Sequence, residues 1–409
     1  MAQSTRLQLH IPVPAARPGD APDFSHIAVP PAGLLERPDP LADPDTVRDL
    51  AFTLIRVLDD NGDAVGAWAP AIAPATLLAG LRAMVLTRIF DERLYRAQRQ
   101  GKTSFYMKSL GEEAIPVAQA LLLGPADMCF PTYRDLGWLM VRNYPLLDLV
   151  NQIFSNGRDP LQGRQLPILY SARAYGFYSL SGNLANRFGH AVGWAMASAY
   201  RGDGNIALAH IGEGSTAEGG FHEALTFAGV YGAPVILCIV NNQWAISSFS
   251  GMAGAERTTF AAKAIGYGVP GLRVDGNDFL AVWAATQWAA ERARANGGPT
   301  LIEFVTYRAG GHSTSDDPAR YRPADEPAHW PLGDPVARLR AHLDRLGLWD
   351  DTRHAALEAE LEQAVREAVR QGEASGTLGH GKPSLEQMFE GVFKEPDWRV
   401  LEQRRELGI

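Results

Sequence analysis

An α/β protein, built on a mostly parallel sheet with helices on both faces, is the fold class this sequence predicts. Two observations carry the prediction. Between about residues 205 and 308, strand-like apolar runs alternate with helical stretches, the order expected when crossover helices join parallel strands. The run Pro234–Val240 is apolar at consecutive positions, so a strand there is covered on both faces, as inside a parallel sheet.

The elements follow in chain order. Residues 1–50 are proline-rich with little periodicity, which suggests an extended arm lying on the surface or on a partner. Phe52–Trp68 reads as a short hairpin around Asn61-Gly62. A helix is expected from about Pro74 to Gly101, with Leu78, Leu81, Val85 and Ile89 at helical spacing. NIALAHIGEGS reads as a strand ending in a glycine turn, EGGFHEALTFAGVYG as a helix, and APVILCIVNN as a second strand. LRVDGND, a helix near Phe279–Ala295, and PTLIEFVTYR continue the alternation. From Asp334 onward the chain is helical and charged, suited to packing or oligomer contact. The expected organisation is an arm and hairpin over 1–73, an α/β domain over 74–333, and a helical segment over 334–409 packed on that domain.

Composition narrows the function. The 409 residues carry a net charge of −8, which argues against a nucleic-acid partner, although a local basic pocket is still allowed. No apolar run approaches the roughly 20 residues that span a bilayer, so no membrane insertion is expected. The opening residues lack a secretory core and carry Asp20, Asp23 and several prolines, so a cytoplasmic location is expected. Cys129 and Cys238 are too few for a disulfide framework or a thiolate metal site, and Cys238 reads as a core thiol.

The most informative stretch is IGEGSTAEGGFHEALTFAGVYGAPVILCIVNNQWAIS. Gly212, Gly214 and Ala217 satisfy the dinucleotide-binding pattern G-x-G-x-x-A between a strand and a helix. Two details oppose that reading. Glu213 places a carboxylate between the glycines, where it would repel a pyrophosphate. The following strand ends in Asn241-Asn242, where a ribose-binding acid is expected. Both oddities disappear if magnesium bridges the loop and a diphosphate, because magnesium takes oxygen ligands from carboxylates, amides, carbonyls and phosphate. Asn242 follows Glu213 by 29 residues, which makes the two strand ends neighbours in a βαβ unit. The glycine turn opens a helix whose free N–H groups can receive phosphate oxygens. A tight turn with an exposed Glu is the bland alternative; the acid and the paired asparagines at this spacing argue against it.

G-E-G-S followed about thirty residues later by N-N resembles the thiamine-diphosphate motif, and the likeness extends further. GKTSFYMKSLGEEA, PTYRDLGWLMVRNYP, VDGND, TYRAGGHSTSDDPARYR and DPVARLRAHLDRLGLWDD resemble, in the same order, segments of the α subunit of branched-chain 2-oxoacid dehydrogenase. The resemblance covers about residues 50–400 and implies the thiamine-diphosphate-binding fold.

It also implies roles. Glu213, Asn242 and the carbonyl of Trp244 would hold Mg2+. Gly212, Gly214 and Ser215 would face the diphosphate, the last two with backbone N–H groups. Tyr133 and Arg134 match a phosphate-side pair, and guanidinium suits phosphate oxygens. Leu184 matches a residue whose backbone meets the aminopyrimidine ring. His312 is the catalytic candidate, in a loop position from which a titrating imidazole can reach a ligand, assisting acyl transfer or stabilising charge beside the diphosphate. Two positions depart from the pattern. Gly182 stands where a serine is common. Val240 stands where relatives often carry an arginine, so the diphosphate must find positive charge elsewhere and Arg134 carries more weight. Ser313 matches a phosphorylation site of animal relatives; with Pro323 at what looks like a second site, phosphorylation is not expected here.

The activity implied is decarboxylation of a small branched-chain 2-oxoacid, with acyl transfer to the lipoyl arm of a second (E2) component. The glutamate needed against the aminopyrimidine belongs to a β subunit in two-chain members, so an α2β2 heterotetramer is implied, active only with both chains. Pyruvate or acetoin are the alternative substrates. An NAD-binding module using Gly212 and Gly214, or a scaffold for a β chain, are the alternatives of other classes. Gly101-Lys102-Thr103 lacks the leading glycine of a phosphate loop, there is no G-x-S-x-G elbow, and His210 and His222 show no metal-ligand spacing.

Overall fold

The computed structural model describes residues 8–378, 380, 384–391 and 393–409. Its centre is a sheet of five parallel strands: β1 Met128–Phe130, β2 Ala207–Gly212, β3 Val235–Asn241, β6 Gly271–Asp275 and β7 Thr300–Val305. They lie in the order β1-β2-β3-β7-β6, with Gly212 paired to Val240 and Asn241 to Val305. A small antiparallel pair, β4 Trp244–Ala245 and β5 Ser248–Phe249, follows β3 directly.

Alternation along the strands sorts the core into two layers, because successive side chains point to opposite faces. Leu208, Ile236, Cys238, Val240, Ile302 and Phe304 share one cluster with α1 Pro74–Arg99, α2 Ala114–Leu122 and α7 Phe279–Arg294. Ala209, Ile211, Leu237, Ile239 and Leu301 share the other with α5 Asn186–Arg201 and α6 Gly219–Tyr231. With both faces covered, the continuous apolar runs read from the sequence are what a buried parallel strand requires. Cys238 is fully buried, as expected for a core thiol.

Of the remaining helices, α3 Leu136–Val141, α8 Pro335–Arg345 and α9 Asp351–Ala374 flank α1, α4 Leu146–Phe154 packs on α9, and α10 Trp398–Glu406 is the last element. α9 packs on α1 and α4, so the charged tail is part of the same body. No helix among the described residues is long and apolar enough to cross a membrane.

VDGND proves to be a structural knot. Asp278 caps α7 through the Leu280 and Ala281 N–H groups, and its other oxygen accepts from Val57 and Leu58. Asp275 meets Arg338 at 2.7 Å.

The segment read as a hairpin forms one antiparallel bridge, Leu58 to Ala64, and no regular strands. Its Ile55 instead bridges to Val274 along the outer edge of β6, with N–H and C=O bonds of 2.8 and 3.0 Å. At the opposite edge Phe177 bridges to Cys129 of β1. The N-terminal arm is pinned by side chains that donate to its carbonyls: Trp68 to Glu36, Trp288 to Pro38, and Arg292 to Pro40 and Ala42.

Candidate active site

The carboxyl ends of β1, β2, β3 and β7 open onto one cavity of about 570 Å³. Ligands of open α/β sheets bind at strand carboxyl ends, so its position follows from the topology. Tyr133, Leu184, Gly212, Glu213, Gly214, Ser215, Asn242, Trp244 and His312 all line it. Arg134 does not. Its guanidinium lies behind the wall, donating to the carbonyls of Lys108 and His312 and standing 3.4 Å from Glu112.

Glu213 and Asn242 follow the last paired residues of β2 and β3, so the parallel register sets them side by side. The Glu213 side chain is buried, and its Oε1 has no hydrogen-bond partner among the described residues. Burial, reinforced by nearby Glu112, pushes its carboxyl up to about 7 against the pull of Arg308. An unpartnered buried carboxylate oxygen calls for a cation. Asn242 is anchored by donating Nδ2 to Glu112 at 2.8 Å, and Glu112 itself is pushed up to about 7 by burial. The Trp244 carbonyl already accepts from Arg308 Nη1 at 3.0 Å, which opposes placing a cation on the same oxygen. Its ring packs on Tyr321 and Phe249.

The glycine turn differs from expectation. Residues Glu213–Ala217 form a 3-10 turn, and α6 starts only at Gly219, so the N–H groups of Gly214 and Ser215 belong to that turn and not to a helix N-terminus. A Cβ on Gly214 would stand 2.6 Å from Ala245 Cβ, which makes glycine obligatory under the β4–β5 pair. Ala185, Gln243 and Ile246, all next to the cavity, adopt left-handed φ of 60°, 75° and 56°. Such strain clusters where a site imposes it.

His312 is not a titrating group near neutral pH in this structure. Burial, then Arg134 and Arg308, hold its imidazole down to about 3. Its Nδ1 faces Arg308 Nη1 at 3.3 Å and Arg134 Nη2 at 3.5 Å. Guanidinium groups only donate, so Nδ1 is the acceptor and the ring proton sits on Nε2. The backbone N–H of His312 donates to Asp316 at 2.7 Å, and Tyr133 meets the ring edge-on at 5.8 Å between centroids. Ser313, the phosphorylation-site match, is buried, with Oγ accepting from Ser315 N–H.

Sequence reasoning missed three residues. Glu112 sits inside the GKTSFYMKSLGEEA segment, but no spacing rule gave it a role. Arg187 lines the cavity and had no signal beyond its charge. His210, set aside for lack of ligand spacing, forms a buried ion pair with Asp135 at 2.9 Å beside Cys129. The pairing of β1 with β2 brings His210 to Asp135, 75 residues earlier, and to Cys129. The pair anchors the turn that carries Tyr133 and Arg134, because Asp135 also accepts from Thr132 N–H.

Comparison with known proteins adds the lineage. The family described as Dehydrogenase E1 component matches residues 81–380. A second, the 2-oxoisovalerate dehydrogenase E1 alpha subunit N terminal, matches residues 5–45. The 2-oxoisovalerate dehydrogenase subunit alpha of Pseudomonas aeruginosa is 56% identical over 410 residues, covering 100% of both chains. The mitochondrial subunit alpha of Homo sapiens is 36% identical, covering 87% of this chain and 79% of its own. Subunit alpha 2 of Arabidopsis thaliana is 37% identical, covering 85% and 73%. Sheet topology, cavity position and full-length similarity converge: the chain belongs to the dehydrogenase E1 component family.

Proposed function

We propose that this chain is the α subunit of a branched-chain 2-oxoacid dehydrogenase E1, acting with thiamine diphosphate and Mg2+ in an α2β2 heterotetramer. The observation that carries the reading is the buried, unpartnered Glu213 oxygen at the floor of the cavity, beside Asn242. The residues fit a divalent cation: one acid and one amide, both offering oxygen. They fit a diphosphate too, since Tyr133, the Gly214–Ser215 turn and the Arg187 guanidinium line the same cavity.

Thiamine diphosphate, when bound, supplies a nucleophilic carbon and an electron sink for decarboxylation. The protein does the rest. Glu213 and Asn242 hold the metal. His312, kept neutral with its proton on Nε2, donates a hydrogen bond without adding charge, the state suited to stabilising an oxyanion. Phe105, Met107, Leu166, Leu169 and Met252 give the outer cavity an apolar lining that suits a branched aliphatic substituent and excludes water. The lipoyl arm of a second component would take the acyl group, and the β chain would complete the site. The proposed division is an N-terminal arm over 1–73, the catalytic body over 74–333 and the helical tail over 334–409, in a cytoplasmic enzyme.

The test is turnover by the co-expressed α and β chains with thiamine diphosphate, magnesium and an artificial electron acceptor. Preference for 3-methyl-2-oxobutanoate over pyruvate is expected. Preference for pyruvate would keep the chemistry and overturn the substrate. Activity from the α chain alone would overturn the heterotetramer.

A further inference from the structure

We infer that Arg187 supplies positive charge for the cofactor's diphosphate. The inference rests on the functional reading above. Arg187 lines the cavity yet is only 3% exposed. Its Nε and Nη1 donate to the carbonyls of His210 and Ser181, and it pairs with no carboxylate among the described residues. Asp135, the acid whose field reaches it, is already bonded to His210. A buried guanidinium without a counter-charge is costly.

Its place in the fold makes the cost larger. Arg187 is the second residue of the 16-residue helix α5, where the exposed N–H groups carry partial positive charge and disfavour a cation. Two positive features therefore converge on one wall, and an anion between them would relieve both. The bond to His210 ties the guanidinium to the strand that runs into Gly212, Glu213 and Gly214, and Tyr133 lies within its field. That is the diphosphate end of the cavity. The other two arginines near it are committed: Arg134 to the carbonyls of Lys108 and His312, Arg308 to those of Trp244 and Ile246. Arg187 carries no hydrogen bond on Nη2, so it is the guanidinium with a donor left to give.

The experiment compares the parent α/β complex with Arg187→Gln and Arg187→Lys, titrating thiamine diphosphate and thiamine separately, with magnesium, by calorimetry. Arg187→Gln should weaken thiamine diphosphate roughly ten- to hundredfold, the worth of a charged hydrogen bond, and leave thiamine within about threefold. Arg187→Lys should restore part of the preference for the phosphorylated ligand. An unchanged ratio of the two affinities in Arg187→Gln would overturn the inference. So would equal weakening of both ligands in Arg187→Lys, which would make the residue a brace for the two carbonyls. A rise confined to KM for the 2-oxoacid would place the substrate carboxylate there, and would overturn it as well. Should Arg187→Gln fail to assemble, the Arg187→Lys titration decides alone. A parent complex that binds neither ligand would sink the functional reading itself, whereas a parent that binds and a variant that is unaffected would sink only this inference.

Discussion

Glu213→Gln makes the sharpest test of the metal site, because its effect should change sign with the cofactor. The carboxyl is carried from its ordinary 4.5 to about 7, first by burial and then by Glu112. That displacement corresponds to about 3 kcal/mol of unfavourable ionisation. Below pH 4.5 the group is protonated both folded and unfolded, and nothing is lost. Between 4.5 and 7 the folded chain keeps a proton that the unfolded chain releases, so stability falls as pH rises. Above 7 the whole of that amount is gone. Glutamine removes the charge with almost no change in shape, so the variant escapes the loss. In the cofactor-free complex at pH 8 it should therefore unfold later than the parent, by up to about 3 kcal/mol, with the difference closing towards pH 4.5. Saturating magnesium and thiamine diphosphate should reverse the order. At a thousandfold excess over Kd the parent gains about 4 kcal/mol, and the variant gains little because its metal ligand is missing. Thermal unfolding at pH 5, 6.5 and 8, with and without cofactor, reads both effects. A variant no more stable than the parent at pH 8, or one stabilised as much by the cofactor, would refute the reasoning.

Three further outcomes are expected. His312→Asn should leave cofactor affinity within a few-fold and cut turnover by about 10²–10⁴, the range for a lost proton-transfer or oxyanion group; single-turnover kinetics beside calorimetry separates the two. Gly214→Ala should weaken cofactor binding at least tenfold, since its Cβ meets Ala245 Cβ at 2.6 Å, and Ala245→Gly in the same chain should recover part of it. Recovery of nothing would place the defect elsewhere in the loop. Asp278→Ala should cost about 3 kcal/mol in denaturant unfolding by uncapping α7 and orphaning the Val57 and Leu58 N–H groups, with cofactor affinity unchanged.

The parallel core was legible because both faces of β3 are buried, and burial on both faces writes itself as a continuous apolar run. β1 was not, because three residues are too few to show any period. The hairpin around Asn61-Gly62 was read from turn chemistry, but its residues found better partners in Asp278 and in the edge of β6. In the site, Glu213 and Asn242 were readable from spacing, since a βαβ unit converts a sequence interval into a spatial neighbour. Glu112 and Arg187 were not, since each acts through a cavity wall assembled from distant segments. The neutral state of His312 was also invisible, being set by burial and then by two arginines, one of them 178 residues away. Arg134 was given the phosphate contact by resemblance; in the fold its guanidinium donates to the Lys108 and His312 carbonyls and faces the His312 ring.

Single-residue bridges at Ile55 and Phe177 occupy part of each outer edge of the sheet. An open strand edge is a template on which another chain can grow, and here each edge already carries a bridge that such a chain would have to displace. Higher-order assembly is left to side chains on helices and loops, which recognise a partner by shape and not by backbone alone. The most adhesive surface of such a sheet is thereby partly covered on both sides.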